Sequence, residues 1–275
     1  VRAADWYRRW VPGWLHERLF RPAARWLPAS SRNMSLQFKL SRFLRGAGVH
    51  PRLRCATWMG AMDLEQLGRL APALASAWPV ERAYGPVLAA YDKLEAMDAD
   101  TLDQALHFFQ RFYLVDDILV KVDRASMMHS LEVRSPFLDT SLVEYVNSLP
   151  HDLKLRGGVT KYLFKESLRC GDGQGPIVPR EIIDRRKKGF GIPVARWIRR
   201  EQAAAFREAL TDAWPGSLLP MFDRAAVRQL LEAHVQGREN HYKELWALFV
   251  LSHWARRHLT PAPVPSPARA TAVAL

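Results

Sequence analysis

The chain has 275 residues, with 40 Lys+Arg against 28 Asp+Glu and a formal net charge of +12. Hydrophobic residues make up 48% and charged residues 25%, which is typical of a folded globular protein and excludes a disordered or collagen-like chain. Two cysteines are too few for a disulfide framework, and no CxxC pair indicates a zinc site, so a reducing, cytoplasmic compartment is expected. The longest apolar run, Leu245 to Ser252, is too short for a bilayer, which takes roughly 20 apolar residues.

The positive charge is concentrated at the start of the chain. Residues 1–54 hold 12 Lys+Arg and 2 Asp+Glu, whereas residues 55–275 hold 28 and 26. Arginines alternate with aromatic residues around Trp6 and Trp10, a pattern that could bind nucleic acid through phosphate contacts and base stacking. The favoured interpretation is an amphipathic helical surface whose arginines face water or pair with acidic groups of the same chain.

Helix signals dominate the middle of the chain, and strand signals are nearly absent. Thr101 is expected to cap a helix that runs towards Asp116. Asp139 is expected to cap a second helix, which Pro150 ends. A third helix is expected to start at Thr160.

The C-terminal part is also expected to be helical. Pro193 fits the first turn of a helix over 194–210. Asp223 is expected to cap the next helix, with Gly237 as its stop, and a last helix is expected over about 240–259. The tryptophans at helical apolar positions are expected in the core: Trp197, Trp246 and Trp254.

Composition divides the chain into three segments. Residues 1–54 form a basic helical segment, and residues 55–259 form a helical segment that carries the unusual residue combinations. Residues 260–275 are rich in Pro and Ala and are expected to form a disordered tail.

The densest cluster of ionisable residues lies between Tyr113 and Asp139. If the chain is helical from Asp117 to about Met128, then Asp117, Lys121 and Arg124 share one face. Glu132 and Arg134 follow in a segment too apolar for a free loop. Charges in such surroundings are paired or face a site, although a purely structural network would show the same pattern.

Two further patterns are rich in cations. Lys161 and Lys165 lie one turn apart near a helix N-terminus, where two cations oppose the helix dipole unless an anion sits between them. Four successive cations at 185–188 are followed by Gly189 and Gly191, which let the backbone come close to a ligand. A basic run alone is usually a solvated surface, but this context favours a phosphate-facing loop. The common phosphate-cradle, nucleophile-elbow and zinc-helix motifs are absent from the sequence.

In this order and spacing, the patterns resemble the C-terminal synthetase domain of glutamine-hydrolysing asparagine synthetases. The stretch 116–139 is similar to that family's signature nearly residue for residue. The stretches 158–165 and 185–193 follow where the family has its lysine motifs, and 245–254 resembles its last helix. The resemblance is strong over about residues 100–258.

The resemblance implies a mainly α chain, the helical portion of an α/β ATP-pyrophosphatase-type synthetase domain. The family's glutaminase domain with its N-terminal Cys nucleophile has no counterpart in the sequence, and neither do its S-G-G-x-D-S and S-G-[DE]-G-x-D-E nucleotide loops. The parallel sheet that carries these loops is therefore expected to be largely missing. The sequence starts at Val1 without Met, so it is expected to be either processed or a fragment. By the family's layout Val1 falls shortly after the last of these loops, so the resemblance implies a C-terminal portion of a longer enzyme that is inactive alone.

The activity that the resemblance implies is ATP-dependent amide formation. A side-chain carboxylate of aspartate or a related substrate attacks the α-phosphate of ATP, which gives an acyl-adenylate and pyrophosphate. Ammonia, released from glutamine by the missing glutaminase domain, then displaces AMP. ATP and Mg²⁺ are thus implied, with the metal ligands mostly outside this chain, and the full-length protein is a candidate homodimer.

The resemblance also implies roles for individual residues. Lys187 matches the lysine that stabilises charge on pyrophosphate, and Glu132 is the second catalytic candidate, which orients the substrate or handles a proton. The expected nucleotide and pyrophosphate ligands are Lys161, Lys165 and Arg185. The residues expected to touch substrate or support the wall behind the site are Asp117, Lys121, Asp123, Arg124 and Arg134.

Other functions remain open at the level of sequence. The same chemistry could act on a different acceptor, as in β-lactam synthetases or in amidotransferases of polysaccharide or peptide biosynthesis. A basic helical nucleic-acid-binding module led by residues 1–54 is a less favoured alternative. An inactive helical scaffold that contacts a partner is a third.

Overall fold

The protein is helical throughout most of its described length. The computed structural model describes residues 1–23, 35–171, 173, 175–185 and 191–259. Within these ranges the one sheet has two antiparallel strands, Leu155–Arg156 and Val159–Thr160. The predicted mainly α fold is confirmed. None of the helices in this part of the chain is both long and apolar enough to cross a membrane.

The chain forms two compact units. The first comprises Val1–Met97 with Ile192–Leu275, and the second comprises Asp98–Gly191. The two units are defined by contacts between residues, whereas the three predicted segments were defined by charge and composition. The division into three segments therefore stays a prediction. The predicted tail lies outside the described residues.

The first unit is built from helices of very different lengths. Leu36–Gly48 and Arg224–Val235 begin with side-chain caps from Ser35 and Asp223, which satisfy orphan backbone N–H groups. Its helices, including short π and 3₁₀ turns, are Arg2–Trp10, Gly13–Leu15, His16–Phe20, Arg21–Ala23, Leu36–Gly48, Pro51–Leu53, Arg54–Met59, Leu64–Leu70, Pro72–Ala77, Val80–Ala83, Gly85–Ala96, Val194–Arg199, Ala203–Arg207, Glu208–Asp212, Gly216–Leu218, Arg224–Val235 and Tyr242–His258.

The core of this unit lies between the helices of its C-terminal part. Leu231 and Leu245 are fully buried there, and Phe206 stacks on Phe249 with ring centroids 4.2 Å apart. The Asp223 carboxylate accepts from two backbone N–H groups at the start of Arg224–Val235, so the predicted cap is confirmed. Gly237 follows this helix with a φ of 76°, a left-handed conformation that glycine adopts without strain.

The helix expected over 194–210 is interrupted. Its first part, Val194–Arg199, ends before Ala203–Arg207 begins. An unbroken helix turns about 100° per residue, so Val194 and Leu210 would point to opposite sides. Both are buried in the same core, and the break allows the two apolar faces to point the same way.

The prediction that three tryptophans lie in the core is wrong. Trp197, Trp246 and Trp254 are 36%, 46% and 50% exposed, respectively. On the helix Tyr242–His258 the buried face is set by Leu245 and by residues three, seven and ten positions later. Trp246 and Trp254 lie one position off that face, where the helix turns their side chains outwards.

Arginines of the basic segment pair with carboxylates of the same unit. Arg54 is buried and forms an ion pair with Asp5. Arg52 bonds to Asp92 at 2.7 Å. Similar pairs join Arg45 to Asp63 at 3.1 Å and Arg21 to Glu17 at 3.0 Å. For these arginines, the interpretation as an internally paired helical surface is confirmed.

A buried histidine ties the last two long helices to the interrupted one. His234 is fully buried, and its Nδ1 accepts from the His241 backbone N–H at 3.0 Å. Its Nε2 lies 2.9 Å from the Ala195 carbonyl oxygen. Because one ring nitrogen must accept and the other donate, the ring is neutral. Burial accordingly lowers the pKa of His234 to about 4.

We expect this histidine to make the first unit sensitive to acid. The unfolded chain takes up a proton near the ordinary histidine pKa of 6.5, whereas the folded chain does so only near 4. Stability is therefore lost as the pH falls from about 6.5 to about 4, by about 3 kcal/mol. Urea unfolding at several pH values measures this loss. It should be smaller in His234→Gln but unchanged in the exposed control His253→Gln, and an equal acid loss in both variants would refute the assignment.

Candidate functional site

The second unit contains all the predicted site residues that the structure describes, and Lys187 lies outside the described residues. Its first three helical segments follow one another without a break, and a short hairpin separates two of its later helices. The elements are Thr101–Phe108, the π-helical segment Phe109–Leu119, Val120–Met127, Pro136–Leu138, Thr140–Ser148, His151–Lys154, the strands Leu155–Arg156 and Val159–Thr160, then Tyr162–Cys170 and Arg180–Ile183.

Of the two helix caps predicted in this unit, one is confirmed and one is wrong. Asp139 accepts from the Leu142 backbone N–H at 3.1 Å, so its predicted role as a cap is confirmed. The first helix is capped by Asp100 and not by Thr101, because the Asp100 carboxylate accepts from two backbone N–H groups, those of Leu102 and Asp103. Asp is a stronger N-cap than Thr, so the residue types already favoured Asp100.

The ionisable cluster that begins at Tyr113, called the first motif below, is helical as predicted. The helix continues from the π-helical segment into Val120–Met127. Asp117 and Lys121 lie one turn apart with Oδ1 and Nζ separated by 4.0 Å, and both side chains are more than half exposed. Asp123 and Arg124 lie exposed on the next turn. These side chains therefore form a solvent-facing charged surface in this chain.

Glu132 and Arg134 follow this helix in a segment without regular structure. Arg134 Nε donates to Glu132 Oε1 at 2.6 Å. Both side chains are open to solvent, at 67% and 87% exposure. An ion pair in water contributes little to stability, so the pair leaves both groups available for a ligand.

The second motif, residues 158–165, begins in a tight hairpin. Gly157 and Gly158 have φ angles of 55° and 82°, the left-handed values that a two-residue hairpin turn requires. Thr160 lies in the second strand, opposite Leu155, so the helix begins at Tyr162 and not at Thr160 as predicted. Lys161 joins strand to helix with a φ of 57°, which is unusual for a residue with a side chain.

The Asp184 carboxylate connects the helix of the second motif to the start of the third motif, residues 185–193. Lys165 Nζ lies 3.9 Å from Asp184 Oδ1, and Arg169 Nη2 lies 2.5 Å from the same oxygen. Arg185 follows directly, so the helix that carries Lys165 is held against the start of the basic run. Residues 186–190, including the predicted catalytic Lys187, lie outside the described residues.

The two lysines of the second motif differ in whether they have a counterion. Lys165 has the Asp184 carboxylate as a counterion, whereas Lys161 is exposed and pairs with none of the acidic groups in the described part of the chain. Sequence reasoning missed Asp184 and Arg169 as partners. The four-residue spacing of Lys165 and Arg169, which places both on one helix face, was the available signal.

Comparison with known proteins identifies the family of this chain. The family model described as asparagine synthase matches residues 5–256. The chain belongs to the asparagine synthase family. The resemblance predicted from the motifs is therefore confirmed, and it extends well into the first unit.

Individual relatives agree with the family match. The chain is 32% identical over 142 residues to asparagine synthetase [glutamine-hydrolyzing] 1 of Bacillus subtilis, covering 50% of this chain and 20% of the relative. It is 30% identical over 189 residues to a putative asparagine synthetase [glutamine-hydrolyzing] of Mycobacterium tuberculosis, covering 69% and 27%. The chicken asparagine synthetase is 25% identical over 159 residues, covering 54% and 27%. No solved structure matches the chain.

Within the described residues, neither Asp184 nor the group of Asp100, Asp103 and His151 fits a magnesium ion. The carboxylate beside the family's lysine motif, Asp184, is engaged by Lys165 and Arg169. Elsewhere in this unit, His151 Nδ1 lies 2.7 Å from Asp100 and its Nε2 lies 2.9 Å from Asp103. That geometry suits an imidazole bonded through both nitrogens. Mg²⁺ prefers oxygen ligands and keeps several waters, so this group does not fit it.

We expect the strained backbone at Lys161 to be separable from its side-chain function. A non-glycine residue in the left-handed region costs roughly 1–2 kcal/mol, part of which Lys161→Gly should recover. Thermal unfolding should show a stability equal to or up to about 1 kcal/mol above that of the parent. Ser130→Gly, at a φ of 56°, is the matched control. A marked destabilisation by Lys161→Gly alone would show that its side chain holds the fold.

Proposed function

We propose that this chain supplies the C-terminal, largely helical part of an ATP-dependent amide synthetase. Its family membership supports this, and so do the relatives named as glutamine-hydrolysing asparagine synthetases. The proposed substrates are ATP, aspartate or a related carboxylate, and ammonia released from glutamine by a glutaminase domain outside this chain. The match covers only 20% and 27% of the length of the Bacillus subtilis and Mycobacterium tuberculosis relatives, respectively.

The observation that carries the proposal is the junction at Asp184. Through Lys165 and Arg169 it holds the helix that follows Lys161 against the start of the basic run at Arg185. Cations from two separate motifs are thereby gathered in one region. A polyanionic leaving group such as pyrophosphate needs fixed positive charge of this kind.

The proposed reaction has two steps. An oxygen of the substrate carboxylate attacks the α-phosphorus of ATP, the bond to the β-phosphate oxygen breaks, and pyrophosphate leaves with its electron pair. Ammonia then attacks the acyl carbon, loses a proton, and AMP departs as the amide forms. Lys187 is proposed to stabilise the charge that develops on pyrophosphate, with Lys161, Lys165 and Arg185 binding its phosphates.

The exposed ion pair is proposed to act on the other substrate. Glu132 would orient the acceptor or take up the ammonia proton, and Arg134 would hold Glu132 or a substrate carboxylate. Their pairing at 2.6 Å and their high exposure suit both tasks. We propose that the residues on the preceding helix support this wall of the site, namely Asp117, Lys121, Asp123 and Arg124.

The exposed apolar side chains of the second unit support the proposal that this unit packs against other parts of a larger polypeptide. Few of its described apolar side chains are buried, namely Ala105, Phe108 and Ile183. Many large ones are exposed: Val115, Val120, Val122, Met127, Met128, Leu131, Val133, Phe137, Leu138, Leu142, Tyr145, Val146, Val159, Phe164, Ile177 and Ile182. A soluble protein rarely leaves so much apolar surface open.

We propose that this apolar surface packs against the sheet and nucleotide loops of the complete enzyme, which would also hold Mg²⁺. When bound there, the ion would neutralise charge on the phosphates of ATP. The chain alone would then be inactive. Two free cysteines, Cys55 and Cys170, suit the proposed cytoplasmic location, and the homodimer implied by the resemblance stays a prediction.

The acceptor is proposed to be aspartate because the relatives are named as asparagine synthetases. A different carboxylate acceptor stays open. Nucleic-acid binding by residues 1–54 has less support, because Arg21, Arg45, Arg52 and Arg54 are paired with carboxylates of the chain.

The test of the proposal is the product set of the complete open reading frame. With ATP, Mg²⁺, aspartate and glutamine, the complete polypeptide should form AMP, pyrophosphate and asparagine in equal amounts. The 275-residue chain alone should form none of them. Formation of ADP and inorganic phosphate, or pyrophosphate release without any carboxylate acceptor, would contradict the proposed reaction.

A further inference from the structure

A cleft in the first unit brings two half-buried cations together. Arg42 and Lys243 line it, from the helices Leu36–Gly48 and Tyr242–His258. The Arg42 guanidinium carbon lies 5.9 Å from the centroid of the Phe38 ring, and Lys243 Nζ lies 5.7 Å from the same centroid. Two positive charges more than 200 positions apart in the sequence therefore share one aromatic ring.

The nearby carboxylates serve a third cation. Arg45 Nε lies 3.1 Å from Asp63 Oδ2, and its Nη2 lies 3.8 Å from Glu244 Oε1. Glu244 Oε1 also accepts from the Gln66 side-chain amide at 2.8 Å. Three cations and two carboxylates meet here, so the group carries one positive charge in excess.

The excess charge lies at Arg42 and Lys243. Arg42 donates to the Gly60 carbonyl at 2.7 Å, but neither cation has a carboxylate within ion-pair distance in the described ranges. Burial, and then the charge of Arg42, lowers the pKa of Lys243 to about 8. Burial also lowers the pKa of Arg42, followed by repulsion from Arg45. Partly buried like charges cost free energy that an anion between them would recover.

The walls of the cleft suit an organic ligand. The Gln37 side chain lines the first cleft, and its oxygen is buried without a hydrogen-bond partner in the described structure. A second, largely apolar cleft shares Tyr242 and Lys243 with the first. Its other lining residues are Met59, Ala61, Ile192, Val194, Trp246 and Ala247.

We propose that the two adjoining clefts form a binding site for a small amphipathic anion. Its head group, a carboxylate or a phosphate monoester, lies between Arg42 and Lys243. Its apolar body lies in the second cleft against Trp246 and Ala247. The site is contained in the first unit and does not rest on the proposed amide synthesis, so either proposal can fail without the other.

The experiment measures binding of four probes to the full chain by isothermal titration calorimetry. Phenylphosphate and benzoate combine an anionic head with an aromatic body, inorganic phosphate has the head alone, and benzyl alcohol has the body without charge. We expect at least one of the two aromatic anions to bind tenfold or more tightly than inorganic phosphate and benzyl alcohol. Which aromatic anion binds tighter distinguishes a phosphate from a carboxylate head.

Variants then locate the site. Arg42→Gln and Lys243→Gln should each weaken binding of the tighter aromatic anion at least tenfold, whereas Arg42→Lys keeps the charge and should retain most of the affinity. Lys93→Gln makes the same change in charge at an exposed position of the same unit and should bind like the parent. Ala247→Phe should weaken the aromatic anions without affecting inorganic phosphate.

Two results would overturn the proposal. One is the absence of binding of both aromatic anions to the parent chain at millimolar concentration. The other is Lys243→Gln binding as tightly as Lys93→Gln, with both variants shown by thermal unfolding to be folded.

Discussion

Replacing Lys187 by alanine in the complete polypeptide is expected to lower kcat roughly 100- to 1000-fold, because one fixed charge-stabilising group typically contributes that much. The charge on pyrophosphate grows as its bond to the α-phosphate breaks, so the lysine acts mainly in the transition state. The loss should therefore appear in kcat and kcat/KM alike, with a smaller change in the KM for ATP. Release of pyrophosphate, followed continuously, measures it.

Lys188→Ala is the matched control for this prediction. It removes the same charge from the neighbouring position, but Lys188 lies outside the Arg-x-Lys-x-x-Phe pattern formed by Arg185, Lys187 and Phe190. We expect its kcat to stay within about threefold of the parent, as for a solvated surface cation. Equal losses in the two variants would mean that the basic run acts through its total charge and that Lys187 has no special position.

Replacing Leu245 by alanine is expected to lower the free energy of unfolding by about 3–4 kcal/mol. Leu245 is fully buried in the core of the first unit, which also contains buried residues of the helix Arg224–Val235 and of the interrupted helix. Truncation removes its buried methyl groups and leaves a cavity that the neighbouring helices close only in part. This would be a large fraction of the stability of an ordinary domain.

Val250→Ala on the same helix is the control for the core prediction. Val250 is 50% exposed, and alanine has the higher helix propensity, so its effect should lie within about 0.5 kcal/mol of zero. Urea unfolding of both variants, followed by tryptophan fluorescence, gives the comparison. Similar midpoints for the two variants would show that the core of the first unit is not where the structure places it.

Local features of the fold could be predicted because they depend on a few consecutive residues. Asp139 and Asp223 cap helices by bonding to N–H groups two or three residues later, so their neighbours suffice to identify them. The helical periodicity of the motif region is equally local. The motifs also identified the family, because residue type and spacing carry that information directly.

Features that depend on distant residues could not be predicted. Trp246 and Trp254 lie within an apolar sequence, but the face of the helix that is buried depends on where the other helices pack. The neutral state of His234 depends on a backbone N–H and a carbonyl from separate segments, those of His241 and Ala195. The spacing of residues along the sequence does not predict such contacts.

The candidate site shows the same division. Lys161 and Lys165 could be identified from their motif, but not the left-handed backbone of Lys161, which lies where the second strand ends and the next helix begins. The Asp184 counterion could not be identified either, since it lies 19 positions after Lys165. Strand pairing and ion pairing between elements therefore decide the geometry that the motif alone leaves open.

The central claim is that a carboxylate of the acceptor attacks the α-phosphate of ATP, and isotope transfer tests this step directly. Aspartate labelled with ¹⁸O in its side-chain carboxylate is incubated with the complete polypeptide, ATP, Mg²⁺ and glutamine, and the products are analysed by mass spectrometry. The account predicts one ¹⁸O atom in the phosphate of AMP for each amide formed. Label in inorganic phosphate, or amide formation with unlabelled AMP, would contradict it.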